Sequence, residues 1–153
     1  MKAITLTQPW ATLVAIGAKR IETRSWSTRY RGPVAIHAAK SYPRWARETC
    51  DEGPFRKALG RLDPNGLLRG YVVATANLVA IVPTISFIEY FEKPDPQNWP
   101  CPFEGFALTP DDFSFGDFAE GRYAWLLADV KPLPTPVPAS GKLGLWEWKE
   151  VRQ

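Results

Sequence analysis

Hydrophobic residues recur at every second position in several short segments of the chain, which is the spacing of half-buried β-strands. The longest apolar run covers residues 70–82, and we expect a bend or bulge near Asn77 because 13 residues are long for one flat strand. Shorter alternating segments predict strands over residues 3–7, 20–26, 33–40 and 122–130, and a closing strand near the end of the sequence.

Helical spacing is confined to shorter segments. After Gln8-Pro9-Trp10 the apolar positions predict a helix of about two turns, with Thr7 as its N-terminal cap and Gly17 as its C-terminal cap. Residues 41–61 predict one or two further helical segments, and residues 86–92 predict a short helix.

Strands therefore dominate, and the helices are too few for a doubly wound sheet. The sequence predicts a mainly β fold with short helices, of the α+β class, built as one small β-barrel with helical insertions over residues 1–153. The proline-rich segment 132–138 is expected to cross the surface as polyproline, and residues 93–120 are expected to form a long anchored loop.

Charge is distributed unevenly along the chain. Residues 1–72 contain 13 Lys or Arg against 5 Asp or Glu, whereas residues 73–153 contain 6 against 11. This asymmetry is typical of a basic face that meets phosphates, although pairing between the two halves would give the same distribution. The seven tryptophans add a second signal, because tryptophan beside arginine holds single nucleobases by stacking.

Several classes of protein are disfavoured. No apolar run approaches the roughly 18 residues that cross a bilayer, and the first residues carry no export signal, so we expect a cytoplasmic monomer without membrane contact. Cys50 and Cys101 have no metal-ligand spacing and are expected to be reduced thiols. With His37 as the one histidine, we expect neither a metal nor a cofactor.

The segments LTQPWATLVAIGAKRIETRSW and RGPVAIHAAK resemble the ASCH domain, the activating signal cointegrator homology domain, which is related to the PUA fold. Its signature G-x-K-x-x-E-x-R is filled completely by Gly17, Lys19, Glu22 and Arg24. The resemblance implies a PUA-like β-barrel that binds RNA or other nucleic acid in a cleft beside the signature. A few members are enzymes, namely a ribonuclease and amidohydrolases that deacylate N4-acetylcytidine.

The resemblance also implies roles for the signature residues. Lys19 would reach into the cleft, either to contact phosphate or to act in catalysis if burial lowers its pKa. Glu22 would accept from a base edge or orient Lys19, while Arg24 would bind phosphate or stack on a base. The amidohydrolases have threonine at the position of Glu22, which disfavours deacylation. If the protein is an enzyme, Lys19 and Glu22 are the catalytic candidates.

The nucleic-acid-binding candidates share a cationic, aromatic or hydrogen-bonding side chain near the signature. Trp10 and Trp26 could stack on bases or belong to the core, Gln8 could read a base or tie the strand to the helix, and His37 fits a structural role. The complete set is Gln8, Trp10, Lys19, Glu22, Arg24, Ser25, Trp26, Arg29, Arg31, His37, Lys40 and Lys142.

The expected partner is nucleic acid, RNA rather than DNA, or a nucleotide or modified base. A metal-independent hydrolase of the same fold and a protein-interaction module that uses residues 103–118 are the alternatives. Residues 89–120 contain eight carboxylates, which repel phosphate, so we expect them to lie away from the cleft or to act as a movable guard.

Overall fold

The structure is a computed structural model in which residues 1–93, 95, 97 and 109–150 are described. Its strands are β1 (Lys2–Leu6), β2 (Ile21–Arg24), β3 (Gly32–Ala38), β4 (Tyr71–Pro83), β5 (Tyr123–Pro138) and β6 (Trp146–Glu147). Its helices are α1 (Trp10–Ala15), α2 (Arg44–Thr49), α3 (Gly53–Leu59), α4 (Thr84–Glu92) and α5 (Pro110–Ser114), and Pro64–Gly66 forms one 3₁₀ turn.

The six strands form one mixed sheet in the order β2-β5-β4-β3-β1-β6. Strands β1 and β3 are parallel, and every other neighbouring pair is antiparallel. This confirms the mainly β fold with short helices. The expectation of a closed barrel is corrected, because β2 and β6 are the two ends of the strand order and do not pair within the described part of the chain.

Strand β4 is irregular at the point that its length predicts. Its pairing with β5 shifts register three times, and one shift lies between Thr75 and Asn77. Each shift bends the strand, so 13 residues can pair with β3 on one side and β5 on the other while following the twist of the sheet.

Strand β5 corrects the expectation for the proline-rich segment. Residues 132–138 do not leave the sheet as surface polyproline, because Pro132, Val137 and Pro138 stay paired with β4. Strand β2 pairs only with Tyr123–Leu126 of β5, so residues 132–138 have β4 on one side and, among the described strands, no paired strand on the other. Proline is tolerated on such an edge because the N–H group that it lacks is not required for pairing there.

Helix α1 begins later than its expected cap. Thr7 does not cap it. The N-cap residue is Pro9, whose side chain cannot accept a hydrogen bond from the first turn of the helix. Gln8 compensates, because its Oε1 accepts from the Thr12 amide at 3.0 Å and its Nε2 donates to the Leu68 carbonyl at 2.7 Å. Gly17, with φ of +81°, ends the helix as predicted.

The end of the acidic segment is anchored to the signature. Asp112 caps α5 through the Thr109 amide and also pairs with Arg20, whose Nη2 lies 2.7 Å from its Oδ2. Because Asp112 is buried, removing either partner would leave a charge poorly solvated. This contact holds residues 109–117 against β2.

The largest core cluster lies between α1 and the sheet. It includes Ile4, Val34, Ile36 and Trp125, all fully buried. Within the described ranges, no helix has the length and apolar character that a bilayer-spanning segment requires. The compartment of the protein remains a prediction.

Candidate nucleic-acid interface

A cleft of about 740 Å³ opens beside the signature strand. This volume lies within the range of roughly 300–1,000 Å³ that is typical of small-ligand sites. Its walls come from β1, α1, β2, α2, α3 and the residues after α5. They comprise Thr5, Leu6, Thr7, Trp10, Glu22, Thr23, Arg24, Ser25, Trp26, Trp45, Thr49, Glu52, Phe55, Ser114, Phe115, Gly116, Asp117 and Arg122.

Strand β2 divides the signature between core and cleft, as its alternation predicts. Ile21 is buried in the core, whereas Glu22 and Arg24 are half-buried and line the cleft. Thr23 is also buried and reaches the cleft wall, where its hydroxyl accepts from the Asp117 amide. Successive side chains of a strand point to opposite faces, so residues two apart share the cleft side. The Glu22 carboxylate is fixed there, because its Oε1 accepts from the Thr23 amide at 2.9 Å.

Lys19 does not enter the cleft. Its side chain is 1% exposed, and its ammonium donates to the carbonyls of Ile21 at 2.6 Å and Phe115 at 2.8 Å. Burial lowers the pKa of Lys19, and the Glu22 carboxylate, 3.6 Å from the ammonium, opposes that shift. The expectation that Lys19 reaches a ligand is therefore corrected, because two carbonyl acceptors draw its charge inward.

Arg24 presents a donor without a partner. Its Nη2 donates to the Thr5 carbonyl at 2.8 Å and lies 3.4 Å from Oε2 of Glu22, so the guanidinium plane is held in place. Its Nε is buried and has no hydrogen-bond acceptor among the described residues. A buried N–H without an acceptor costs free energy, on the order of 1–3 kcal/mol, which a ligand acceptor would offset.

Aromatic rings form two sides of the cleft. Trp26 packs edge-on against the buried Trp125, with ring centroids 4.8 Å apart. Trp10 lies 5.8 Å from Trp45 and 5.9 Å from Phe55. Trp45 is 60% exposed and stands at the mouth of the cleft on α2. These faces are arranged to contact a flat aromatic ligand.

Residues 114–117 close the remaining wall. The Phe115 ring packs against Phe55 at 5.0 Å, and the Asp117 amide donates to the Thr23 hydroxyl at 3.0 Å. The Asp117 carboxylate pairs with Arg122, which also donates to the Thr23 carbonyl. Residues 114–117 therefore do not lie away from the cleft, and the alternative expectation, that residues 89–120 act as a movable guard, stays a prediction. Within that range, residues 94, 96 and 98–108 lie outside the described residues.

The charge of the cleft differs from the expected basic surface. Its lining contains two cations, Arg24 and Arg122, and three carboxylates, Glu22, Glu52 and Asp117. The halves of the chain do pair, through Arg20 with Asp112 and Lys2 with Glu147. A lining with no excess of positive charge favours a ligand held by stacking and hydrogen bonds over one held mainly by phosphates.

The cleft brings together Trp10, Glu22, Arg24, Ser25 and Trp26 from the predicted set. The other candidates lie elsewhere. Gln8 is fully buried with both ends of its amide bonded, which fits the tying role rather than base reading. His37 is buried under Ala139, and the side chains outside the cleft on the exposed surface are Arg29, Arg31, Lys40 and Lys142.

Sequence reasoning missed most of the lining, including the aromatic and charged residues Trp45, Phe115, Asp117 and Arg122. One signal for Trp45 exists, because a tryptophan between Arg44 and Arg47 puts a large apolar ring on the polar side of a helix. The others come from residues about 90 positions after β2, and no local pattern connects them to it.

The described residues contain no group of three or more His, Cys, Asp or Glu placed to hold a metal ion. Cys50 is a free, buried thiol, and burial raises its pKa above the ordinary value, which leaves it unreactive. Cys101 lies outside the described residues.

The fold and the cleft define an α+β domain with an open mixed sheet and a ligand-sized site beside one edge strand. The chain belongs to the ASCH domain family, whose model matches residues 4–131. Members of this family are associated with nucleic-acid or coactivator interactions.

Known proteins agree with this assignment. Human activating signal cointegrator 1 is 31% identical over 108 residues, which is 69% of this chain but 18% of that protein. The crystal structure of ASCH from Zymomonas mobilis superposes with a TM-score of 0.52 at 15% identity, covering 97% of this chain and 87% of that one. The crystal structure of a mutant of the Zymomonas protein superposes with a TM-score of 0.52 at 16% identity, covering 97% of this chain and 90% of that one. At these identities the structural likeness concerns the fold.

Proposed function

We propose that the protein binds single-stranded RNA by taking one unpaired base into the cleft. The observation that carries this proposal is the unsatisfied Nε of Arg24, on a guanidinium that Thr5 and Glu22 hold in place, in a cleft whose lining also contains Trp10 and Trp26. A base supplies what this site lacks, because its ring stacks on tryptophan and its edge carries acceptors for a fixed N–H.

Cleft size and composition support an unpaired base over a duplex. Bases inside a duplex are covered on both faces, whereas a splayed base can enter a recess and stack. The half-buried tryptophans and the near balance of charge suit the base itself. A duplex ligand would instead need a row of exposed cations, and the cleft lining holds only Arg24 and Arg122.

Hydroxyl groups around the base site support RNA over DNA. Thr7, Ser25 and Thr49 line the cleft and are not fully buried. A ribose 2′-OH both donates and accepts, so neighbouring hydroxyls and carbonyls distinguish it from deoxyribose. Binding of the matched DNA strand is expected to be weaker for this reason.

The two alternative functions have less support. A hydrolase that uses Lys19 would need its amine at the substrate, but that amine is bonded to the Ile21 and Phe115 carbonyls. A protein-interaction module would present aromatic residues of 103–118. Residues 103–108 lie outside the described residues; in the described part Phe115 is buried, and Phe113 and Phe118 pack against Phe87.

The test is a binding panel at two salt concentrations. Labelled single-stranded RNA, the matched single-stranded DNA, a duplex of the same sequence and free nucleosides are titrated with the protein. The expected order of affinity is single-stranded RNA, then single-stranded DNA, then duplex. Equal affinity for duplex and single strand, or no binding of any nucleic acid, contradicts the proposal. Loss of an RNA substrate with time would move the assignment to a hydrolase.

The matched variant pair for this panel is Arg24→Lys and Arg61→Lys. Arg24→Lys keeps the charge but removes the fixed Nε–H, so binding of a free nucleoside is expected to fall. Arg61→Lys makes the same chemical change at an exposed position that lines neither the cleft nor its walls. Equal effects of the two substitutions would show that Arg24 does not contact the base.

A further inference from the structure

We propose that a second recess beside the cleft binds the phosphate that flanks the bound base; this inference rests on the proposed function. The recess measures about 620 Å³ and is called the phosphate recess below. It is lined by Lys40, Arg69, Gly70, Pro138, Ala139, Ser140 and Gly141.

The lining chemistry of the phosphate recess is that of an anion site. Among the described residues, its charged lining residues are Lys40 and Arg69, and its lining contains no carboxylate and no aromatic ring. Both cations are exposed, and neither forms a hydrogen bond or ion pair with another residue in the described part of the chain. Ser140 adds an exposed hydroxyl beside them. Unpaired Lys and Arg next to a hydroxyl are typical phosphate ligands.

The fold brings these residues together through three strand ends. Lys40 follows the end of β3, and Arg69 precedes the start of β4. The Gly70 amide donates to the Ala38 carbonyl at 2.8 Å, and the Ala139 amide donates to the Gly70 carbonyl at 3.0 Å. These two bonds hold the backbone next to Lys40, Arg69 and Ser140 together before any ligand arrives.

Buried His37 supports the floor of the phosphate recess. Its Nε2 lies 2.8 Å from the Ala139 carbonyl, which can only accept, so the proton resides on Nε2 and Nδ1 is a bare acceptor. That Nδ1 is buried and has no partner among the described residues. A Cβ added to Gly141 would lie 2.6 Å from Nδ1, so this edge of the ring is directed at the recess wall. Because Nδ1 is an acceptor it does not bind the anion itself, but its place beside Gly141 makes the His37 ring a reporter of the recess wall.

The phosphate recess is next to the base cleft. A Cβ at Gly141 would lie 2.8 Å from Oγ1 of Thr5, and Thr5 lines the cleft. The Thr5 carbonyl in turn accepts from Arg24, the residue proposed to meet the base. The linings of the two sites therefore contact each other at Gly141 and Thr5, which suits a ligand that extends from the cleft into the recess.

The experiment compares ligands with and without phosphate. A nucleoside, its 3′- and 5′-monophosphates, inorganic phosphate and a short single-stranded RNA are titrated into wild type and Lys40→Ala/Arg69→Ala. The control is Lys57→Ala/Arg61→Ala, which removes one lysine and one arginine from exposed positions that line neither site. Thermal melts establish that both double variants are folded.

The expected result separates the two sites. Lys40→Ala/Arg69→Ala weakens a monophosphate and the RNA about tenfold or more and leaves nucleoside binding unchanged, whereas the control affects neither. The slope of log K against log salt for RNA becomes shallower by about 0.7 for each phosphate that the variant no longer neutralises. The resonances of His37, the one histidine of the chain, shift with a monophosphate and not with the nucleoside.

Three outcomes overturn the proposal. Unchanged RNA and monophosphate binding in Lys40→Ala/Arg69→Ala would refute the phosphate recess while the base cleft stands. A His37 shift of the same size and midpoint with inorganic phosphate as with the monophosphate would mark a free-anion site. Absence of binding by both nucleoside and RNA to wild type would remove the proposed function itself.

Discussion

The cleft and the phosphate recess are adjacent, because Gly141 of the recess lies against Thr5 of the cleft, but they differ in nearly every property that selects a ligand. The cleft has tryptophan faces, three carboxylates and two arginines, whereas the recess has two unpaired cations and no ring. Stacking discriminates between flat and non-flat ligands and is insensitive to salt, while a cation pair attracts any phosphate and weakens as salt increases. The cleft would therefore select the base and the recess would attract the phosphate, so mutations in one site should change one of these properties without the other.

The two sites also differ in how they are supported. The cleft depends on long-range contacts, because Lys19 bonds to Phe115 and Arg20 pairs with Asp112 across more than 90 positions. The phosphate recess depends on strand ends that are already paired in the sheet. Damage to the long-range contacts should therefore affect the cleft first, and damage at the strand ends should affect the recess first.

The largest expected effect is that of Lys19→Ala. It leaves the Ile21 and Phe115 carbonyls without their donor and Glu22 without a buried partner, so the free energy of unfolding should fall by about 3–5 kcal/mol. Urea unfolding measures the decrease, with the exposed Lys57→Ala as control. If the variant is as stable as wild type but no longer binds RNA, Lys19 contacts the ligand and does not have the structural role described here.

Trp45→Ala should separate binding from folding. Because Trp45 is 60% exposed, its removal should barely change the melting temperature. Loss of its stacking face at the cleft mouth should weaken single-stranded RNA by about 1–3 kcal/mol with an unchanged salt slope. Phe91→Ala is the matched control, since Phe91 is 53% exposed and does not line the cleft. Equal decreases in both variants would mean that Trp45 is not a stacking platform.

Gly141→Ala should act on the recess alone. The new methyl group would lie 2.6 Å from the buried His37 ring, so residues 139–141 must move, at a cost of about 1–3 kcal/mol in stability. Monophosphate binding should weaken while nucleoside binding persists. Gly17→Ala is an unsuitable comparison because of its positive φ, so Gly53→Ala, which has open space around it, serves as the control. Nucleoside binding that disappears together with monophosphate binding would argue that the two sites are one.

The smallest effect concerns the titration of His37. Burial lowers its pKa below 6.5, and the bond to the Ala139 carbonyl opposes that shift. The unfolded chain therefore binds a proton before the folded chain does, so this contribution to stability is present above pH 6.5 and is lost as the pH falls towards the folded pKa. NMR titration of the single histidine checks it. A midpoint above 6.5 without ligand would contradict the neutral, buried ring.

Local sequence patterns predict the secondary-structure elements well where the structure depends only on residues that are close together in the sequence. The alternation of Ile21 and Thr23 against Glu22 and Arg24 gives the two sides of β2, and the length of the run around Asn77 gives the irregular strand. Both are consequences of backbone geometry and burial, which act over a few residues.

The site was less predictable because its contacts are distant in sequence. Nothing near Lys19 indicates that the Phe115 carbonyl, 96 positions later, accepts from its ammonium and turns it away from the cleft. The acidic segment was expected to avoid phosphate, yet Asp117 lines the cleft because Arg122 balances its charge. The distribution of charge along the sequence does not show which charged side chains the fold brings together in the cleft lining.

The prolines of β5 bear on how the protein behaves at high concentration. Between Pro132 and Pro138 every second residue is proline, and β2 covers only the first part of the strand. A proline has no N–H, so this uncovered edge lacks the regular row of donors that a strand from another molecule would need for pairing. Its sequence therefore discourages edge-to-edge aggregation. Replacing Pro132, Pro134 and Pro136 by threonine would create an adhesive strand without changing a residue that lines either ligand site.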